Sequence, residues 1–264
     1  MPFSRRSRPD PVPADAHAPV SSLPSTSELN PVGRSVVEID SGRWWGIDVA
    51  IAHPDVRSSP DGAGEGVWSA RDLLTEIGGR RDLVEINTGL LTTALRAVAE
   101  ARPPVDGTSA NGPGRAVVAV HPRFAVDEEF LPTVKTAVRR SGLDPAQLLL
   151  SVAADDLDRQ WPAVQRLRSH GVKVALEVEP DSLEATEELL HRLSFDLVRL
   201  SADAALTGSP AEAEPTTLVR QLLANDRRVW VEDVADAALL DQMDSIGCSL
   251  ASGSAVDRPL DHSS

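Results

Sequence analysis

The sequence predicts an α/β fold, a modified (β/α)8 barrel of the TIM type with a disordered N-terminal tail, on three observations. Eight short runs rich in β-branched residues alternate with longer segments of helical spacing over about 220 residues. The interior runs, VVAV at 117–120 and VKVALEV at 172–178, are apolar almost throughout, as strands covered on both faces must be. No G-x-G-x-x-G or phosphate-binding loop follows the first run, which weighs against the alternative, a doubly wound open sheet built around a nucleotide.

Taken in order, residues 1–33 place Pro2, Pro9, Pro11, Pro13, Pro19, Pro24 and Pro31 among Ser, Arg and Asp. They have no apolar periodicity that would bury a face, so a disordered tail is expected there. The barrel domain is expected over 34–261, with 262–264 as a short C-terminal end. Strand-like runs lie at 36–39, 44–51, 116–121, 148–152, 172–178, 197–200 and 229–231, with a weaker one at 248–251. Between the second and third, the apolar residues of 82–101 (Leu83, Val84, Ile86, Leu90, Leu91, Ala94, Leu95, Val98) recur at three- and four-residue steps, which makes one buried helical stripe. The same spacing joins Leu157, Trp161, Val164 and Leu167, then Leu189, Leu190 and Leu193, then Leu239, Leu240, Met243 and Ile246. Asp156, Ser182 and Asp236 stand near helix starts as caps. Residues 58–65 and 103–115 are loop insertions by composition.

Composition narrows the function. With 26 Lys and Arg against 40 Asp and Glu the formal charge is −14, and such a chain repels phosphate backbones and anionic lipids over most of its area. Neither a nucleic-acid polymer nor a membrane is therefore an expected partner. The single cysteine, Cys248, allows no internal disulfide and no cysteine-rich zinc site, which points to the cytoplasm. It is expected to be a small buried hydrophobe rather than a nucleophile. No run approaches the roughly 20 apolar residues of a membrane span, and no signal peptide is legible.

In a barrel the chemistry lies at the C-terminal ends of the strands. Reading those ends gives Asp48, His121, Ser151, Glu177, Arg199, Glu232 and Ser252. All are polar or ionisable where apolar residues would suffice. Their order and spacing resemble the EAL domain, the family of cyclic di-GMP phosphodiesterases. SGRWWGIDVAIAHP at 41–54 is similar to that family's opening T-G-x-x-x-G-x-E-A-L-x-R-W-x-x-P, with Asp48 at the glutamate, Val49 and Ala50 after it, and Ala52 in place of an arginine. VAVHPR at 118–123 puts His121 at the metal-binding asparagine. LDPAQLLLSVAADDL at 143–157 puts Ser151 and Ala154 at two glutamates. The stretch 167–201 resembles L-R-x-x-G-V-x-I-A-I-D-D-F-G…D-x-I-K-I-D; Glu177 and Val178 replace the aspartate pair, Arg199 the lysine and Ser201 the last aspartate. RRVWVEDVAD at 227–236 keeps Glu232, and IGCSLASGSAVDRPL at 246–260 has Ser252 at a glutamine.

The resemblance implies a site where two divalent cations activate a water against a phosphodiester. Here Val178 and Ser151 supply no carboxylate, and a guanidinium at 199 stays charged and accepts no proton. The expected function is therefore a degenerate, catalytically inactive regulatory or protein-interaction module in cyclic di-GMP signalling, with an unidentified protein partner. Alternatives are a non-hydrolytic cyclic di-GMP receptor and a weak phosphodiesterase needing Mg2+ or Mn2+. No cofactor is expected otherwise. Asp48, His121 and Glu177 fall where the family's residues share one metal and are candidate ligands; the competing expectation is that they are remnants satisfied by water or by Arg199. Glu232 is expected to pair with Arg199. Trp44 and Trp45 could stack a base, but on alternate faces of one strand one of them belongs to the core and the other beneath a helix. His53 and His191 are expected at the surface.

Overall fold

A computed structural model describes residues 30–52, 67–69, 83–100, 114–154, 157–178, 186, 189–190, 192–207 and 214–256. His53, His191, the 58–65 loop and the caps Asp156 and Ser182 lie outside the described residues. Eleven strands occur among them: β1 (Asn30–Glu38), β2 (Trp44–Ala52), β3 (Val67–Ser69), β4 (Arg115–Val120), β5 (Leu148–Ala153), β6 (Lys173–Val178), β7 (Leu197–Ser201), β8 (Leu206–Thr207), β9 (Glu214–Pro215), β10 (Val229–Glu232) and β11 (Leu250–Ala251). The order β1-β11-β10-β7-β6-β5-β4-β2 returns to β1 through a β1–β2 pairing, so eight strands close into a barrel. These eight coincide with the eight predicted runs. β1 starts at Asn30, ahead of the expected start at residue 34, and β4 starts at Arg115, the last residue of the expected loop.

The barrel departs from an all-parallel ring at one strand. β1 runs antiparallel to both β2 and β11, whereas every other neighbouring pair in the ring is parallel. β1 therefore ends, at Glu38, on the side where the parallel strands begin. β3 adds an antiparallel edge to β2, and β8 and β9 form a two-stranded ribbon after β7.

Helices follow the strands: α1 (Leu83–Glu100), α2 (Pro122–Ala125), α3 (Phe130–Ser141), α4 (Leu157–Arg168), α5 (Ala202–Ala205), α6 (Thr217–Ala224) and α7 (Ala237–Ser245). α1 and α4 carry the predicted stripes, with Ile86, Leu90, Leu91, Ala94 and Leu95 buried on the first and Leu157, Val164 and Leu167 on the second. Asp236 caps α7 by accepting from the Leu239 N–H at 2.8 Å, as its position predicts. α3 and α6 were not singled out by the sequence pattern. They bury Phe130, Val134, Ala137 and Val138, and Leu218, Val219 and Leu222, respectively.

Two apolar layers result. The larger lies between strands and helices and includes Val118, Leu150, Leu176 and Val198. The smaller fills the barrel's interior and draws one residue from each ring strand: Val36, Trp45, Val117, Leu149, Ala175, Leu197, Trp230 and Leu250. Two tryptophans offset the small Ala175, so the interior is packed and forms no channel. Cys248 is 5% exposed, and burial pushes its thiol up to about 12. It is the buried hydrophobe that the sequence predicts.

Candidate functional site

Strand periodicity builds the site directly on that interior layer. Side chains two residues apart share a face, so Ser151 follows Leu149, Glu177 follows Ala175, Arg199 follows Leu197, Glu232 follows Trp230 and Ser252 follows Leu250, each one step nearer the mouth. Asp48 lies three residues beyond Trp45, which simple alternation would send outward. The β1–β2 register shifts here: Val36 pairs with Gly46 and Val37 with Trp44, leaving Trp45 as an extra residue. That bulge lets Trp45 and Asp48 both face inward. Gly46 is needed beside it, because a Cβ there would meet the Arg115 carbonyl oxygen at 2.4 Å.

Arg199 organises the mouth. Its Nη1 and Nη2 donate to the two carboxylate oxygens of Asp48 at 3.2 and 2.6 Å, a forked pair. Nη2 also donates to Glu232 at 2.5 Å. The Arg199–Glu232 pair is expected from sequence, as is Arg199 as a partner for the Asp48 remnant; barrel closure brings Asp48, 151 residues away along the chain, to it. Below, the guanidinium carbon lies 4.3 Å from the centre of the Trp230 ring, a cation–π contact. The Trp230 indole N–H in turn donates to the Ser252 hydroxyl at 3.0 Å. Glu177 stands next to Arg199 in register and accepts from the Ser151 hydroxyl at 3.3 Å.

Electrostatics follow from burial. Asp48 is 5% exposed and Arg199 4%. Burial raises the Asp48 carboxyl to about 6; Arg199 opposes that rise, and the neighbouring charges of Glu232 and Glu177 add to it. Burial also weighs against the Arg199 charge, but Asp48, Glu232 and Glu177 together outweigh it and hold the guanidinium protonated. Three carboxylates thus surround one cation that belongs to the chain.

The other predicted positions separate into two groups. His121 sits just beyond β4, where its carbonyl oxygen accepts from the N–H groups of Phe124 and Ala125 and starts α2. Ser201 is the N-cap of α5 and accepts from the Ala204 N–H at 3.1 Å. Val178 is 3% exposed and belongs to the layer beneath the helices, so its side chain lies outside the mouth. Among the described residues no three His, Cys, Asp or Glu side chains form a group able to hold a metal ion. The forked Arg199 pair engages both oxygens of Asp48. Trp44 and Trp45 lie at the start of β2, the end of the barrel away from Asp48, with Trp45 in the interior and Trp44 against the helix-side layer. Neither reaches the mouth to stack a base. Trp230 was missed as a site residue, although its place two residues before Glu232 on a predicted strand puts it beneath that carboxylate. Arg34 and Asp233, 3.9 Å apart at the rim, were missed as well.

A barrel with one antiparallel strand and an acidic cluster at its C-terminal mouth defines the class of protein, and comparison specifies the family. Residues 61–259 match the EAL domain family, and the chain belongs to it. Among solved structures it resembles the PaMucR phosphodiesterase in complex with c-di-GMP, at 18% identity and a TM-score of 0.66 over 89% of this chain and 92% of that one. It also resembles the FimX EAL domain of Xanthomonas citri in complex with c-di-GMP, at 16% identity and 0.63 over 86% of each. The FimX EAL domain of Pseudomonas aeruginosa bound to c-di-GMP gives 16% and 0.60, over 86% of this chain and 89% of that one. No curated protein sequence matches the chain. Among the described residues no helix is long and apolar enough to cross a membrane.

Proposed function

We propose that this EAL domain is catalytically silent and serves cyclic di-GMP signalling as a regulatory, protein-contacting module. One observation carries the reading: the Arg199 guanidinium lies on Asp48 and Glu232, two of the carboxylates around which a metal-dependent hydrolase would be built. The residues do not fit a pair of divalent cations. Ser151 and Val178 offer no carboxylate, and a fixed positive charge stands between the acids that remain. The family and its similar solved structures, three of them c-di-GMP complexes, support the signalling context.

A second reading, a receptor that binds cyclic di-GMP without cutting it, is favoured by the two FimX EAL domains bound to c-di-GMP. Against it stand Glu177, Glu232 and Asp48, whose excess of negative charge over Arg199 opposes a dianionic ligand. Calorimetric titration of cyclic di-GMP into the full chain with Mg2+, repeated with Mn2+, and chromatography of the cell contents separates the readings. Neither heat nor linear dinucleotide is expected. Saturable heat without product would replace the module by the receptor. Linear product would overturn both.

A further inference from the structure

The closed end of the barrel, opposite the mouth, holds a second arginine–tryptophan stack with a different charge balance. Arg115 opens β4, and its guanidinium carbon lies 4.8 Å from the centre of the Trp45 ring. Arg228 precedes β10 and reaches the same ring at 5.9 Å. Glu38, at the end of β1, is the carboxylate whose charge acts on Arg115. It is already engaged: its Oε2 accepts from Nε and Nη2 of Arg43 at 3.1 and 2.6 Å and from the Ser41 hydroxyl at 3.2 Å. Its Oε1 is 4.0 Å from Arg228. The Arg115 side chain has no hydrogen bond or ion pair among the described residues. Burial, then the charge of Arg228, depresses the Arg115 pKa, with Glu38 offsetting only part of that.

We propose that Arg115 and Arg228, backed by the Trp45 ring, form a binding site for a single oxyanion, a phosphate or a carboxylate, at the closed end of the barrel. Two guanidinium groups converging on one ring present planar forks of N–H donors, which match the oxygens of such a group in pairs. The contacts with the Trp45 ring, at 4.8 and 5.9 Å, restrain the two side chains that carry these forks. In a chain of charge −14 these two cations, with Arg43, share one carboxylate among the described residues, Glu38, so an incoming anion completes the cluster. The site is independent of the mouth and of the proposed function.

Inorganic phosphate, titrated into the full chain at about 20 mM salt and followed by 31P line broadening and calorimetry, tests it. One saturable site is expected, weakening as salt rises. Arg115→Gln and Arg228→Gln should each lower the affinity at least tenfold, while Arg139→Gln, whose guanidinium donates within α3 to the Lys135 carbonyl and the Thr136 hydroxyl, leaves it unchanged. Glu38→Gln should raise it several-fold by removing the competing carboxylate, a gain that misfolding would not produce. A capped tri-glutamate peptide in parallel distinguishes the source of the group: tighter phosphate binding points to a free or nucleotide phosphate, tighter peptide binding to an acidic partner segment. No saturation by either probe, or the same isotherm for wild type, R115Q and E38Q, overturns the proposal.

Discussion

The two ends of this barrel carry the same unit, an arginine laid over a tryptophan of the interior layer, and they differ in how its charge is answered. At the mouth, Arg199 over Trp230 meets Asp48 and Glu232 at hydrogen-bond distance and Glu177 alongside. At the closed end, Arg115 over Trp45 meets another arginine and a carboxylate already held by Arg43. The stack fixes a guanidinium in place; the neighbouring carboxylates decide whether it locks the fold or awaits a ligand. The mouth, where the family's chemistry resides, is thus internally neutralised to the extent that one cation can do so.

The sharpest way to break this contrast is to delete each arginine. Arg199→Ala leaves Asp48, Glu177 and Glu232 facing one another without a counter-charge, and a buried pair broken on one side costs about 3–5 kcal/mol. Urea denaturation at pH 7 should show that loss, and less of it at pH 4, where Asp48 takes up a proton. A cost below about 1 kcal/mol would mean that the mouth is far wetter than the 4% exposure of Arg199 implies.

Asp48→Asn tests the same cluster through pH. Burial raises the carboxyl from 3.8 to about 6, so the folded state binds this proton more tightly than the unfolded chain does. The sign follows: Asp48's contribution is fully present below about pH 4 and is lost as pH rises through 6. Asparagine never ionises. The variant should therefore gain stability relative to wild type between pH 4 and 6, with a level difference above 7, as read from urea midpoints across that range. Parallel curves would mean that Arg199 alone neutralises Asp48.

At the closed end the corresponding change is small. Arg115→Gln removes a cation–π contact on a half-buried side chain, worth about 0.5–1 kcal/mol, and relieves the repulsion from Arg228. The net change in urea stability should be under about 1 kcal/mol. A loss like that of Arg199→Ala would show that Arg115 is locked into the fold and is no ligand site.

Sequence periodicity carried the barrel far. All eight ring strands were legible because strands buried on both faces read as short apolar runs, and α1 and α4 because long stripes repeat several times. α6 has eight residues, too few turns to establish a period. α3 does space Phe130, Val134, Ala137 and Val138 along one face, but Pro132 near its start and the polar residues between them mask the pattern. β8 and β9 have two residues each and exist only because they pair with one another. At the site, Asp48, Ser151, Glu177, Arg199, Glu232 and Ser252 were all found from strand ends. Arg199 was legible as a partner for the Asp48 remnant, but the forked geometry was not, since it depends on the bulge at Trp45, which no local pattern announces. Val178 was placed at the mouth by resemblance, although alternation from Glu177 sends it to the opposite face.

The smallest expected effect concerns what holds Glu232 against Arg199. The next residue, Asp233, has φ of 58°, in the left-handed region that glycine enters at no steric cost. Aspartate tolerates it better than most residues, yet some strain remains. Its side chain is 67% exposed and 3.9 Å from Arg34, a pair of little worth. Asp233→Gly therefore releases strain of about 1 kcal/mol but adds freedom to the unfolded chain, for a net stabilisation of about 0.5 kcal/mol. A matching rise in urea midpoint is the measurement. If the variant is instead destabilised by more than about 1 kcal/mol, the Asp233 carboxylate belongs to the charge network of the mouth, and the neutralisation there extends to the rim.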